Sequence, residues 1–433
     1  MSPELVGIIG IAVLLVLFAL RMQVGLSMLM VGFLGYCYLT TTQAGLTKLG
    51  IDPYATASAY SLSVIPLFVL MGMFLSYGGL GRDLYQAVDA WMGHLRGGLA
   101  IATIGACAAF AAVSGSTTAT AATMGTVALP EMKRYNYKDS LATACVAAGG
   151  TLGILIPPSV ILILYGVLTE EPIGKLLIAG ILPGILQAVL FTVTIYLQVR
   201  QNPSLAPLHP EAAFREKLVS LRKVWPVPAL FLLTMGGIYF GVFTPTEGSA
   251  VGAFGAFIFF LATGQFSRKN LIGSLDQAAR TTAMIFIIVI GATVFGHFLA
   301  VTKIPFELSG FIAGLGVSRY VVMALILFLL MVLGCFMEGI AILVLTMPIL
   351  YPLVTGFGFD GVWFGVIMVV MLNIGLVTPP VGVNVYVTAG VAKDVPLMTI
   401  FRGVIPLLIA MIVCAILLVA FPQIVTFLPS LMH

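Results

Sequence analysis

Apolar residues run along the chain in blocks of close to twenty, at 4–20, 24–42, 61–80, 140–168, 174–198, 225–243, 247–264, 278–301, 361–388 and 397–420. An α-helix needs about 20 apolar residues to cross a hydrocarbon layer of about 30 Å, so each block predicts a membrane span. Two further apolar stretches, 97–132 and 320–354, are interrupted near their middles by "VSGSTTAT" and "GCFMEGI". Each is about twice the length of a half-membrane helix. Each is therefore either a pair of full crossings or a re-entrant hairpin that dips in and returns.

Composition narrows the class. Of 433 residues, 60% are hydrophobic and 8% charged, where soluble domains carry roughly 25% charge. No room remains for a soluble domain. The net charge of +4 is spread over short loops, which gives nucleic acid no patch to bind. The five cysteines, Cys37, Cys107, Cys145, Cys335 and Cys414, lie in apolar segments without paired spacing and read as small buried hydrophobes. The N-terminus lacks a basic n-region and reads as a retained first helix. Enzyme signatures such as HExxH, GxSxG or paired catalytic carboxylates are missing. "AVSG" at 112–115 approaches an intramembrane protease turn, but Ala112 stands where that turn needs glycine.

Loop charges set the orientation. The longest polar connection, 200–223, carries Arg200, Arg215, Lys217, Arg222 and Lys223, so the positive-inside rule places it in the cytoplasm. Taking both interrupted stretches as hairpins then puts Arg21, Arg82, Arg96, Lys133, Arg134, Lys138, Arg268, Lys269, Lys393 and Arg402 on the same side. Asp52, Glu170, Glu171, Glu247 and Glu307 fall outside, as do both termini. Two pairs of crossings would give the same sidedness.

The chain also repeats itself. "LGILIPPS" at 152–159 and "IGLVTPPV" at 374–381 each place two prolines inside an apolar block. An offset of 222 residues pairs Pro157 with Pro379, Pro158 with Pro380, Gly153 with Gly375 and Ser116 with Glu338. Five predicted crossings separate the copies, and an odd number inverts one relative to the other. Inverted repeats with broken helices are the architecture of secondary transporters, which bind near the midplane. Proline has no N–H, so the carbonyls of Gly153, Ile154, Gly375 and Leu376 lose their helical partners. Free carbonyls at membrane depth line cavities or bind ions.

Glu338 is an acid at membrane depth. It is either a proton site or the cap of the half-helix that starts "IAILVLTMPIL". His297 reads as a hydrogen-bonded packing residue, and "TPTEGSA" at 244–250 as a turn into a helix N-terminus.

The stretches "SGSTTATAATMGTVALPEMKRYNY", "AAGGTLGILIPPSVILILYG" and "NIGLVTPPVGVNVYV" resemble the DctM-type large membrane subunit of tripartite ATP-independent periplasmic (TRAP) transporters, across essentially the whole chain. The resemblance implies an all-α elevator-type fold: an inverted-topology repeat with two re-entrant helical hairpins and two Pro-broken helices. It divides the chain into scaffold helices 1–96, transport repeat one at 97–168 (hairpin 97–132, broken helix 140–168) and scaffold 169–318 with cytoplasmic loop 199–224. Transport repeat two follows at 319–388 (hairpin 320–354, broken helix 361–388), then a C-terminal scaffold helix in 389–433. It implies Na⁺ as coupling ion, a separate small four-helix membrane subunit, a periplasmic substrate-binding protein and the bacterial inner membrane. One Na⁺ position would use Ser114, Gly153, Ile156 and Pro158, and the other Gly334, Gly375, Thr378 and Pro380. Ser116, Thr117, Ser159 and Asn384 are substrate contacts by location. A C4-dicarboxylate is the first expected cargo, and sialic acid or another sugar acid the second. The alternatives are a stand-alone or proton-coupled carboxylate carrier using Glu338, or a channel.

The topology has a direct test. In a cysteine-free background, a single cysteine within 211–223 should resist an impermeant thiol reagent in intact cells, and one near residue 170 should react. The reverse pattern would turn the molecule over.

Overall fold

The computed structural model describes residues 1–207, 211–314 and 316–432, and these form helices joined by short connections, with no strand among them. Residues 208–210 of the 199–224 loop and residue 315 within 169–318 lie outside the described residues. Among the described residues, seven helical runs are long and apolar enough to cross a membrane, including Tyr60–Tyr77, Ile173–Gln201, Pro245–Ala262, Arg268–Thr302 and Leu397–Ala420. Pro3–Ala19 and Val24–Leu39 are apolar but shorter. The chain is a multi-pass membrane protein.

Both interrupted stretches fold as helical hairpins. In the first, helix Gly98–Ser114 ends at Gly115, whose φ of +61° is one that only glycine adopts readily, and Thr117–Arg134 returns. Ser116 caps the returning helix, its hydroxyl accepting the Ala119 N–H at 3.3 Å. The second runs Arg319–Gly334, then Gly339–Gly356. The proline pairs break their helices where the pattern predicts. Asp139–Gly150 passes through a 3₁₀ turn at Thr151–Ile154 before Val160–Thr169 starts, and Gly361–Leu376 stops before Val383–Val391. Both Pro-Pro peptide bonds are cis.

Four helical segments depart from the sequence reading. Thr42–Ala57 and Leu80–Met92 fall between the apolar blocks because their mean hydropathy is low; Leu80–Met92 is amphipathic and buries Leu80, Leu84 and Tyr85. Asp52, expected in an outer loop, lies in the first of them, 6% exposed, with His297 Nε2 at 3.5 Å and Lys48 Nζ at 3.8 Å. Phe214–Val224, inside the expected loop, is helical and docks on Leu80–Met92, with Trp91 Nε1 donating to the Lys217 carbonyl at 3.2 Å. The block 278–301 begins ten residues earlier in a 35-residue helix, Arg268–Thr302. Its charged first turns hide it from a hydropathy window, while Arg280 Nε meets Asp276 Oδ2 at 2.7 Å one turn apart. That helix lies against Val24–Leu39 at backbone distance, for a Cβ on Gly32 would sit 2.7 Å from the Phe295 Cα. At 244–250 the expected turn is a capping box, Thr244 with Glu247 and Pro245 in the first turn.

The two repeats interlock. Tyr165 of the first donates its hydroxyl to the Gly361 carbonyl of the second at 2.6 Å. Asn384 Nδ2 of the second donates to the Ala147 carbonyl of the first at 3.2 Å, while Tyr351 of the second reaches beyond the repeats to donate to Glu171 Oε1 at 2.7 Å. Tyr165 is fully buried, so Tyr165→Phe removes its buried bond to Gly361 between the repeats at a cost of about 1 kcal/mol. The purified protein should melt several degrees lower; an unchanged melting curve would show that this bond ties nothing together.

Candidate functional site

The hairpin tips meet at a cavity of about 600 Å³. From the first tip it is lined by Ser114, Gly115, Ser116, Thr117, Thr118 and Ala119, and from the second by Glu338, Gly339 and Ile340. Ser76, Tyr77 and Thr123, with Gln277 and Thr281 of the long helix, complete its polar lining. The first tip rests on the first break. A Cβ on Gly115 would lie 2.7 Å from the Pro158 carbonyl oxygen, and one on Gly153 would collide with the Ser116 carbonyl and reach 2.8 Å from the Thr120 hydroxyl. Ser114 Oγ hydrogen-bonds Thr120 Oγ1 at 2.8 Å. Ser114, Ser116, Gly153 and Pro158 are thus brought together, joined by Thr120, which the sequence reading did not single out. Ile156 turns its side chain away, onto Gly184.

At the second break, Gly334 and Gly375 touch backbone to backbone, a Cβ on Gly334 lying 3.0 Å from the Gly375 Cα. The Cys335 carbonyl accepts the Gly382 N–H at 3.4 Å. Thr378 donates its hydroxyl to the Ile374 carbonyl at 2.6 Å, and Pro380 is exposed.

Two of the four carbonyls that the prolines release are taken again locally. Ile154 accepts the Ser159 hydroxyl, and Gly375 accepts the Thr378 N–H at 3.0 Å. Ser159 is fully buried and also caps Val160–Thr169 through the Leu162 N–H at 3.2 Å. Ser159 and Asn384 do not line the cavity; Asn384 is fully buried against Ala147. Thr117 lines it but is largely buried. Glu338 occupies the N-cap position of Gly339–Gly356, yet its side chain makes no capping bond and lines the cavity instead.

A protein-family model described as "Tripartite ATP-independent periplasmic transporter, DctM component" matches residues 11–424. The chain belongs to this family. It is 38% identical over 88% of its length, and 89% of the relative's, to the C4-dicarboxylate TRAP transporter large permease protein DctM of Pseudomonas aeruginosa. It is 33% identical over 95% of both chains to the sialic acid TRAP transporter large permease protein SiaM of Vibrio cholerae. The YdaH transporter of Alcanivorax borkumensis shares the fold at 14% identity, with a TM-score of 0.62 over 90% of each chain.

In this TRAP large permease the sequence also left Asn373 unremarked. It is fully buried two residues before Gly375, and neither of its amide atoms has a hydrogen-bond partner among the described residues. Gln277 and Thr281 were missed too, although two polar residues four apart in an apolar helix share a face.

The tip contact generates a test. Gly153→Ala drives a methyl into the Ser116 carbonyl, an overpacking cost of about 1–3 kcal/mol. Transport should fall roughly tenfold or more, since each 1.4 kcal/mol is a factor of ten in the competent population. Wild-type uptake by this variant would show that the tip does not need the close approach.

Proposed function

We propose that this permease imports an organic acid across the bacterial inner membrane by Na⁺ symport, taking the cargo from a periplasmic binding protein and working with a small four-helix subunit. A C4-dicarboxylate is the first candidate and a sialic acid the second, as the names of the relatives suggest. The observation that carries the reading is the cavity between the two hairpin tips, each beside the break of its own repeat. Helix N-termini at Ser116 and Glu338 converge there, and a helix N-terminus attracts a carboxylate through its free N–H groups.

Na⁺ suits the donors on offer. Ser114 and Thr120 supply hydroxyls at the first break, and the unpartnered Asn373 amide lies one turn from the second. Neutral oxygen donors match a hard monovalent cation, while imidazole or thiolate would select other metals. The elevator motion assigned to 97–168 and 319–388 rests on the same arrangement, with the two repeats, joined through Tyr165 and Asn384, moving as one body against the remaining helices.

The test is uptake into proteoliposomes holding this chain and its small subunit, with an inward Na⁺ gradient and the binding protein present or withheld. Uptake should require both. Uptake that ignores the binding protein, or follows a proton gradient instead, would overturn the tripartite Na⁺ reading and move the coupling to Glu338. In the same assay Ser114→Ala and Thr378→Val should each raise the Na⁺ concentration for half-maximal uptake by about fivefold, the worth of one hydrogen bond of about 1 kcal/mol. Unchanged Na⁺ responses in both would remove these residues from the ion positions.

A further inference from the structure

The tip cavity holds one carboxylate among its described lining residues, Glu338, and no lysine, arginine or histidine. An organic anion bound there meets hydroxyls, amides and helix ends but no cation. A second cavity of about 630 Å³, lined by Arg82, Asp83, Gln86, Lys223 and Gln265, lies beside the tip cavity and shares the walls Ser76 and Thr123. A third, of about 540 Å³, shares Arg82, Gln86 and Val127 with the second and adds Asp89 and Glu131.

Arg82 is the basic residue common to the second and third cavities. It stands on the first turn of the amphipathic helix Leu80–Met92, whose opposite face buries Leu80, Leu84 and Ala87. That packing fixes the helix while the Arg82 side chain stays exposed. Gln86, one turn on, presents an amide to the same two cavities. Arg82 makes no ion pair among the described residues, although Asp83, Asp89 and Glu131 line the same space. Its guanidinium is therefore free to take a carboxylate through two parallel N–H donors. By the loop-charge count, Arg82 and Lys223 both belong to the cytoplasmic side.

We propose that the second and third cavities form a vestibule on the cytoplasmic side, in which Arg82 is a second station for the anion, binding its carboxylate between the tip cavity and the cytosol. This rests on the importer reading above. Cargo leaving a cavity without a cation passes its first guanidinium there, at a site facing water and sensitive to salt. Arg82 acts as a positioning residue: it speeds passage between cavity and cytosol without touching the ion positions or the docked binding protein.

The experiment uses the complete system in proteoliposomes, with wild type, Arg82→Gln and Arg82→Lys compared at low and high lumenal salt. At low salt Arg82→Gln should turn over about tenfold more slowly, the low end of electrostatic steering. Its Na⁺ dependence, its KM for the loaded binding protein and its melting temperature should match wild type. Arg82→Lys should recover most of the rate, and high lumenal salt should narrow the gap between wild type and Arg82→Gln. Equal turnover of Arg82→Gln and wild type at low salt overturns the proposal. So does a loss accompanied by altered Na⁺ dependence or a lower melting temperature, or a loss that lysine does not rescue. If wild type itself shows no Na⁺-driven uptake with the binding protein present, the importer reading has failed and the vestibule role falls with it.

Discussion

Every backbone carbonyl and N–H at membrane depth must find a partner, because the hydrocarbon offers none. An unbroken helix meets this demand automatically; a broken one must meet it residue by residue. At the first break, the Ser159 hydroxyl takes the Ile154 carbonyl while its oxygen receives the Leu162 N–H, so one side chain closes the old helix and opens the next. At the second, Thr378 divides the work, its hydroxyl serving Ile374 and its N–H serving Gly375. Gly382 then reaches across to the Cys335 carbonyl of the adjoining hairpin tip. The breaks are thus closed by short polar side chains and by the hairpins beside them. That is why tips and breaks occur together in each repeat.

This dependence explains the glycines at the contact. A side chain at Gly153 or Gly115 would hold the first tip off the first break, and Gly375 lies so close to Gly334 that it has no room for a Cβ. The hydroxyl-rich tip follows from the same constraint. Ser116 caps its own helix, and Thr120 bonds both the Ser114 hydroxyl and, at 2.7 Å, the Ser116 carbonyl. A polar cavity at membrane depth is left where these satisfied tips face each other.

The breaks and the 222-residue repeat are legible in the sequence because each rests on a residue with one dominant physical effect, whereas hairpin and paired crossings stay open until the family resemblance is drawn. Proline removes a donor, glycine admits close approach, and an apolar run of fixed length crosses a bilayer. What stays hidden depends on where a side chain turns. Ser159 and Asn384 have the right chemistry for a ligand, but both turn inward to satisfy backbone carbonyls. Glu338 does the opposite, standing at a cap position without capping. Leu80–Met92 escapes a hydropathy reading because half its surface is polar, although that half places Arg82 and Gln86 on the vestibule. Amphipathic helices beside spans need a periodicity reading, since averaging over a window erases the signal that defines them.

Repetition of a sequence pattern does not reproduce an environment. Residues 151–160 are buried throughout, sealed on one side by helix Ile181–Gln201, where Gly184 receives Ile156 and Gln187 Nε2 donates to Thr151 Oγ1 at 3.1 Å. The repeat mate of Thr151 is Asn373, equally buried but without a partner, and the prolines that follow it, Pro379 and Pro380, are exposed. The first break is therefore enclosed, with Gln187 Oε1 beside Thr151 left without a partner among the described residues, and the second keeps the whole Asn373 amide uncommitted. A buried polar atom without a partner costs free energy unless something occupies it. Two breaks alike in sequence thus hold different sets of unpaired atoms, one amide oxygen at the first and an amide oxygen and nitrogen at the second.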